Sequence, residues 1–159
     1  MQIKIACVGK LKDDFYQAAS AEYAKRLSRF SQLSIQEVAD EKAPENLSPA
    51  QERQVMEREG ERLLEKIGEK EHVIALCIGG KALTSEAFAA RLQELADGGK
   101  NQVTFVIGGS LGLSEEVLQR ADERLSLSKM TLPHRLARIV LLEQIYRAFK
   151  INAHEPYHK

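Results

Sequence analysis

Apolar runs of strand length alternate with helical patterns along this chain, and this alternation restricts its possible folds more than any other feature. The apolar runs cover residues 3–8, 33–38, 72–78, 103–107 and 125–130. The helical patterns cover residues 13–30, 49–67, 85–96, 114–124 and 133–150. Strands that alternate with helices predict an α/β fold with a mainly parallel sheet. The long apolar runs are typical of strands that are covered on both faces.

The length and composition predict one soluble domain. A chain of 159 residues can bury a single core, so we expect one domain over residues 1–159. It has no apolar run of about 18 residues, and its first residues resemble a strand and not a signal peptide, which predicts no membrane span. Cys7 and Cys77 lie inside apolar runs without metal-ligand spacing. We therefore expect free thiols in a reducing cytoplasm and no bound metal.

The net charge of zero hides an asymmetry along the chain. Residues 129–159 carry six Lys or Arg and two acidic residues, so this segment has a charge of +4. A basic end indicates an anionic partner, although a solvated C-terminal helix explains the charge equally well. The overall composition lacks the high pI of a dedicated nucleic-acid binder.

The last helical pattern has two apolar stripes, whereas a surface helix needs one. One stripe contains Ile139, Leu142, Tyr146 and Phe149. The other contains Ala137, Val140, Leu141 and Ala148. Two stripes favour a helix that packs on the sheet with one face and on a second subunit with the other, which predicts a homodimer. A helix buried wholly in its own core is the alternative.

The common nucleotide-binding motifs are missing. A dinucleotide fold places GxGxxG after its first strand, but here the first strand runs into Val8-Gly9-Lys10-Leu11. A P-loop needs Ser or Thr after Gly-Lys, whereas Gly80-Lys81 is followed by Ala82 and Gly99-Lys100 by Asn101. A dehydrogenase or a nucleoside triphosphatase is therefore disfavoured.

Glycine or proline follows three of the predicted strands, at residues 77–80, 107–109 and 130–133. Ligands of open α/β sheets bind beyond the carboxyl ends of the strands. Glycine lets the backbone approach a ligand closely. A glycine or proline after one strand is more often a plain turn. Three such strand exits in one sheet predict a pocket for a small cofactor that is built from the loops after the strands.

Polar residues near the C-terminus are the other candidates. His134 begins the last helix, where a helix-start hydrogen bond and a functional role are both open. Glu143 and Arg147 are spaced to pair on one helix face. The tail ends in Glu-Pro-Tyr-His-Lys, in which Tyr157 and His158 could stack on and contact a nucleotide.

Six segments together resemble the SPOUT class of RNA methyltransferases. They are VGKLK (8–12), DEKAPEN (40–46), VIGGSLGL (106–113), SLSKMTLPH (126–134), EQIYRAF (143–149) and PYH (156–158). Because these segments run from residue 8 to residue 158, the resemblance covers nearly the whole chain.

The resemblance implies a parallel-sheet α/β knot with a C-terminal trefoil knot, in a homodimer. Ordinary connection rules would not predict a knot. The resemblance also implies S-adenosyl-L-methionine as cofactor and N3 of a pseudouridine in 23S rRNA as the methylated atom. The residues that would hold the cofactor are Leu76, Gly108, Leu127, Ser128, Lys129, Met130, Thr131 and Leu132.

The chemistry assigns roles to the C-terminal residues. Methyl transfer is an in-line displacement, and N3 must lose a proton. We expect Tyr157 and His158 to position the base and assist that loss. Arg138 or Arg147 would stabilise charge on the base or hold a phosphate. The tail and the cofactor could belong to different subunits.

Neutral overall charge favours a target recognised by shape on the assembled ribosome. A non-catalytic RNA-binding protein that uses the basic C-terminal third is the alternative. A small-molecule α/β enzyme without an RNA partner is a third hypothesis.

Overall fold

The computed structural model of the chain describes residues 1–42 and 44–159, in which five strands alternate with five helices. The strands are β1 (Gln2–Val8), β2 (Gln32–Val38), β3 (His72–Ala82), β4 (Gln102–Ile107) and β5 (Glu123–Ser126). The helices are α1 (Asp14–Leu27), α2 (Pro49–Leu64), α3 (Ser85–Asp97), α4 (Glu115–Arg120) and α5 (His134–Asn152). The predicted α/β fold is confirmed. Ala43, part of the predicted DEKAPEN segment, lies outside the described residues.

The strands form one parallel sheet in the order β2-β1-β4-β3-β5. Apolar side chains of β1 and β4 alternate between two cores, because successive residues of a strand point to opposite faces. Ile5 and Phe105 pack with α1, α3 and α5, whereas Val8 and Val106 pack with α2 and α4. The sheet is therefore covered on both faces, as the long apolar runs predicted.

The connections diverge between β1 and β4. β1 leads through α1 to β2 on one side, whereas β4 leads through α4 to β5 on the other. Open α/β sheets bind ligands in the crevice that such a divergence leaves at the carboxyl ends of the strands.

The sequence-based boundaries of β5 and α4 were wrong. α4 ends at Arg120 and β5 covers Glu123–Ser126, not residues 125–130. Asp122 sets the change, because its backbone N–H donates to Val73 O at 2.8 Å and its carboxylate accepts from Val73 N–H at 2.8 Å. β5 therefore begins to pair with β3 at an earlier residue than the apolar pattern predicted.

The prediction that the third strand ends at residues 77–80 was also wrong. Gly79 and Gly80 lie within β3, where the pairing with β5 shifts register between Leu76 and Lys81. A Cβ on Gly80 would stand 2.5 Å from the backbone carbonyl carbon of Leu125. Glycine is needed here because two backbones touch, and not because the strand ends.

Helix α5 lies on the sheet between α1 and α3. Leu141, Leu142 and Ile145 are fully buried within this chain, so the chain's own core accounts for much of both apolar stripes. Leu136 remains 37% exposed near the start of the helix. The first part of α5 therefore offers apolar surface for the predicted homodimer. No helix among the described residues is long and apolar enough to cross a membrane.

The start of α2 shows the predicted capping box. Ser48 Oγ accepts from Gln51 N–H at 3.2 Å, and the Gln51 side chain accepts from Ser48 N–H at 2.8 Å. Pro49 is the first helical residue, where its missing N–H costs no hydrogen bond.

Replacing Ser48 with Ala should lower the free energy of unfolding by about 1 kcal/mol, because the Gln51 N–H loses its acceptor. Ser48→Asp is the matched control and should keep nearly all of the stability, since Asp also caps helices well. Urea denaturation measures both variants. Equal stability of the Ala and Asp variants would contradict the contribution of the cap.

Candidate active site

A cavity of about 300 Å³ opens at the carboxyl ends of β4 and β5, beside the middle of β3. Three chain segments build most of its wall, at residues 76–78, 107–113 and 126–132. His134 and Ala137 of α5 close one side. The volume lies at the lower end of the roughly 300–1,000 Å³ that small-ligand sites occupy.

The predicted cofactor residues converge on this cavity. Those that line it are Leu76, Gly108, Leu127, Ser128, Met130, Thr131 and Leu132. Lys129 is exposed and is not part of the described lining. The sequence therefore identified most of the wall, while its role in holding a cofactor stays a prediction.

The loop after β4 can be built only with glycine at two positions. A Cβ on Gly108 would stand 2.6 Å from the carbonyl carbon and oxygen of Gly112. Gly112 itself has φ +93°, and its N–H donates to Gly109 O at 3.1 Å. The loop thus folds back on itself and leaves bare backbone at the cavity wall.

The loop after β5 is held by its own serines. Ser126 Oγ donates to Ser128 O at 2.9 Å, and Ser128 Oγ accepts from Met130 N–H at 2.9 Å. Two apolar side chains at the cavity remain largely exposed, Ile78 at 67% and Met130 at 80%. An apolar group or surface that covered them would gain from their burial.

His134 and Cys77 are the titratable side chains that the described residues contribute to the cavity wall. Burial lowers the pKa of His134, and the positive charges of Arg135 and Arg138 lower it further. The imidazole is therefore neutral at pH 7. No hydrogen bond to its ring is found within residues 1–42 and 44–159, which argues against the helix-start alternative.

Arg138 lies behind the cavity and not in its wall. Its side chain is 2% exposed and donates to Glu37 at 2.6 Å and to Gly9 O at 3.0 Å. Its Nε is buried without a partner among the described residues. Arg138 thus ties α5 to the carboxyl ends of β1 and β2.

The tail folds back onto α5 and brings three of the predicted catalytic residues together. Tyr157 OH donates to Glu143 at 3.2 Å, and the guanidinium of Arg147 stacks 4.7 Å from the Tyr157 ring centroid. Arg147 also donates to His158 Nδ1 at 3.2 Å, while His158 Nε2 contacts Glu86 at 2.7 Å. Burial and the charge of Glu143 raise the pKa of Tyr157.

This tail cluster lies far from the cavity of the same chain. His134 and Arg147 are thirteen residues apart on α5, which corresponds to about 20 Å along the axis of a helix. The structure therefore brings Arg147, Tyr157 and His158 together but does not bring them to the cavity wall.

Glu59 is a buried acid that the sequence did not reveal. It is 4% exposed, and its Oε2 accepts from Glu41 N–H at 3.0 Å. Its Oε1 has no partner among the residues that the structure describes and lies 3.0 Å from where a Cβ on Gly109 would stand. Burial raises the pKa of this carboxyl. The charged pattern of α2 gave no signal for burial, because Glu59 looks in the sequence like Glu57 and Glu61, which are half-buried and exposed.

Neighbouring Gly60 brings α2 against the chain that follows the cavity loop. A Cβ at this position would stand 2.3 Å from Ser114 Oγ. The described residues contain no group of three or more His, Cys, Asp or Glu arranged to hold a metal ion.

Comparison with known proteins identifies the family. Residues 1–158 match the profile of the family described as "Predicted SPOUT methyltransferase". The chain belongs to the SPOUT methyltransferase family. Proteins named ribosomal RNA large subunit methyltransferase H from Lactobacillus johnsonii and Bacillus thuringiensis are 57% and 58% identical to it, over 100% of both chains in each pair.

A solved structure shows the same fold at lower similarity. It is described as a probable methylase family protein from Haemophilus influenzae Rd KW20. The TM-score is 0.55 at 14% identity, over 99% of this chain and 70% of that chain. The match supports the fold. Family membership excludes the hypothesis of a non-catalytic RNA-binding protein, because the family is one of methyltransferases.

Alkylation should distinguish the two cysteines. Burial raises the pKa of the Cys7 thiol to about 11, with the charge of Arg138 partly opposing the shift. At pH 8 roughly one Cys7 thiol in a thousand is therefore ionised and reactive. Cys77 is half-buried at the cavity.

We expect iodoacetamide at pH 8 to label Cys77 well before Cys7 in the folded protein, as measured by mass spectrometry of timed samples. In urea both should react. Equal labelling rates in the folded protein would contradict the burial of Cys7.

Proposed function

We propose that this methyltransferase transfers a methyl group from S-adenosyl-L-methionine to N3 of a pseudouridine in 23S rRNA. The observation that carries the proposal is the cavity at the ends of β4 and β5, because two of its wall segments, 107–113 and 126–132, lie within segments that resemble the family. The full-length identity to proteins named ribosomal RNA large subunit methyltransferase H supports the rRNA substrate.

The residues of the cavity fit the proposed cofactor. Leu76, Leu127 and Leu132 offer apolar wall for the adenosine, and the bare backbone beside Gly108 admits a close approach. Backbone of the loop 127–132 would supply polar contacts, with Ser128, Met130 and Thr131 at the wall and Lys129 outside it. S-adenosyl-L-methionine, when bound, supplies an electrophilic methyl group on a sulfonium centre.

The chain's own residues then hold and orient the target base. We assign Tyr157 and His158 to positioning the base so that its N3 proton can be removed. Arg147 is the better candidate for a contact to the base or to a phosphate, because Arg138 is buried and paired with Glu37. Alignment of N3 with the transferred methyl would supply much of the rate.

We propose that the working form is a homodimer in which the tail of one subunit serves the cavity of the other. The separation of about 20 Å between the cavity and the tail cluster along α5 supports this arrangement. Exposed Ile78, Met130 and Leu136 at the cavity and the start of α5 offer apolar surface for the contact. We also infer the trefoil knot, in one domain over residues 1–159.

The neutral overall charge favours a target presented on the assembled ribosome in the cytoplasm. Affinity for naked RNA depends strongly on the number of phosphates that basic residues neutralise. With net charge zero, recognition by shape is the better explanation. A metal or a membrane has no part in the proposal.

Ribosomal RNA from a strain that lacks the gene should lose one N3-methylated pseudouridine, as detected by mass spectrometry of 23S rRNA fragments. The wild-type gene should restore it. Gly108→Ala should not, because its Cβ would collide with the backbone of Gly112. Calorimetry should show at least tenfold weaker binding of S-adenosyl-L-methionine to this variant.

Gly79→Ala is the matched control, since no atom lies within 4 Å of the added Cβ. It should bind the cofactor and restore methylation. An unchanged methylation pattern in the deletion strain would refute the proposed function.

Mixed dimers should show whether the tail acts across the interface. One subunit carries Gly108→Ala and the other Tyr157→Phe with His158→Ala, and two affinity tags select the mixed species. A tail that acts across the interface leaves one intact site per dimer, so about half of the wild-type rate should remain. Each variant alone should be inactive. An inactive mixed dimer would place tail and cavity in the same subunit, and full activity of the tail variant would exclude a role for the tail.

A further inference from the structure

The proposed reaction needs a group that removes the N3 proton, and the cavity wall offers few. Its described lining is mostly apolar side chains, glycines and hydroxyls. Cys77 and His134 are the titratable residues of this described lining, and His134 carries the imidazole, the group that most often serves as a general base. A proton acceptor must lie within hydrogen-bond reach of the proton that it takes, directly or through one water.

The tail residues are already engaged in this conformation. His158 accepts from Arg147 at Nδ1 and faces Glu86 at Nε2, so both of its ring nitrogens have partners. Tyr157 donates its hydroxyl proton to Glu143. A neutral phenol with a raised pKa is a poor proton acceptor. The tail can hold a base by stacking and hydrogen bonds, but it offers no unengaged acceptor.

His134 differs from the tail residues in position and in bonding. It begins α5, directly after Pro133, and lines the cavity together with Ala137. Its Nε2 lies 3.9 Å from where a Cβ on Gly9 would stand, so the ring lies over the end of β1. This is the edge where the connections of β1 and β4 diverge and where open α/β sheets bind ligands.

The charged groups around His134 come from several elements. Arg135 and Arg138 lie on its own helix, and Asp40 lies in the segment after β2. Glu37 at the end of β2 is paired with Arg138, and Cys77 of β3 faces the same cavity. The two arginines favour the neutral imidazole, whereas Asp40 opposes them.

We infer that His134 is the proton acceptor for the target base, a role that rests on the proposed function. The N3–H proton moves to the unprotonated ring nitrogen of His134, and the electron pair of that bond stays on N3. This pair forms the bond to the methyl carbon as the carbon–sulfur bond breaks, and its electrons go to the sulfur. The products are the N3-methylated base, a neutral thioether and an imidazolium, which returns its proton to water.

The electrostatics of the site suit this role. A base must be unprotonated before the reaction, and burial together with the arginines keeps His134 neutral at pH 7. Protonation at low pH removes the acceptor. The wild-type rate should therefore fall as the pH decreases through a pKa that lies below the roughly 6.5 of ordinary histidine.

The test compares the pH dependence of kcat in wild type, His134→Gln and His134→Ala, with ribosomes or large subunits as substrate. Loss of a general base lowers kcat by about 100- to 10,000-fold. Both variants should lose the acidic limb of the wild-type profile, and their rate should rise with hydroxide concentration. Added imidazole should partly restore the Ala variant. Binding of S-adenosyl-L-methionine, measured by calorimetry, should change less than threefold.

His72→Gln is the matched control. His72 begins β3 at the opposite end of the strands, where it pairs with Glu123. This variant should keep the acidic limb of the pH profile. Thermal melting shows whether each variant is folded, and the Gln variant serves if the Ala variant is not.

The outcomes separate this inference from the proposed function. If wild-type protein fails to methylate the rRNA, the proposed function is wrong. If wild type is active, the inference is overturned by a His134 variant that keeps either the wild-type rate or the acidic limb. Loss of cofactor binding in the folded Gln variant would also overturn it, because His134 would then be a structural part of the cavity.

Discussion

Direct contact between backbones is the constraint on which the rest of the structure depends. At Gly108 a side chain would overlap the backbone of Gly112, and at Gly80 it would overlap the backbone of Leu125. These contacts let the loops that follow β4 and β5 meet beside the middle of β3. Because the loops meet without side chains between them, they enclose a cavity whose wall is partly bare backbone. The contacts that fix the fold are therefore the same contacts that form the site.

Two buried charged residues brace this cavity from behind. Arg138 joins α5 to Glu37 and to Gly9 O on one face of the sheet. On the other face, Glu59 of α2 joins Glu41 and lies against Gly109. Removing Glu37 would leave the Arg138 charge buried without its partner, which is costly. Each residue is thus better suited to holding loops in place than to contacting RNA.

The length of α5 separates the two sets of residues to which we assign roles in the reaction. His134 at its start lines the cavity, whereas Glu143 and Arg147 in its second half hold Tyr157 and His158. A proton acceptor at the cavity and a base-holding tail at a distance are complementary parts of one reaction. This separation supports the proposed homodimer, in which the tail of a neighbouring chain would reach the cavity.

The sequence by itself determined the order and type of the elements and most of the cavity wall. Apolar periodicity gives helices and strands, and parallel strands place their ends at one edge, which is why the predicted exits after β4 and at residues 130–132 lie at the cavity wall. Only the tertiary structure decided the start of β5, where Asp122 pairs with Val73, and the burial of Glu59 and Arg138. Those outcomes depend on partners distant in the chain, and local patterns carry no information about such partners. For the same reason, His134 became distinct from the other histidines only when the fold placed it at the cavity.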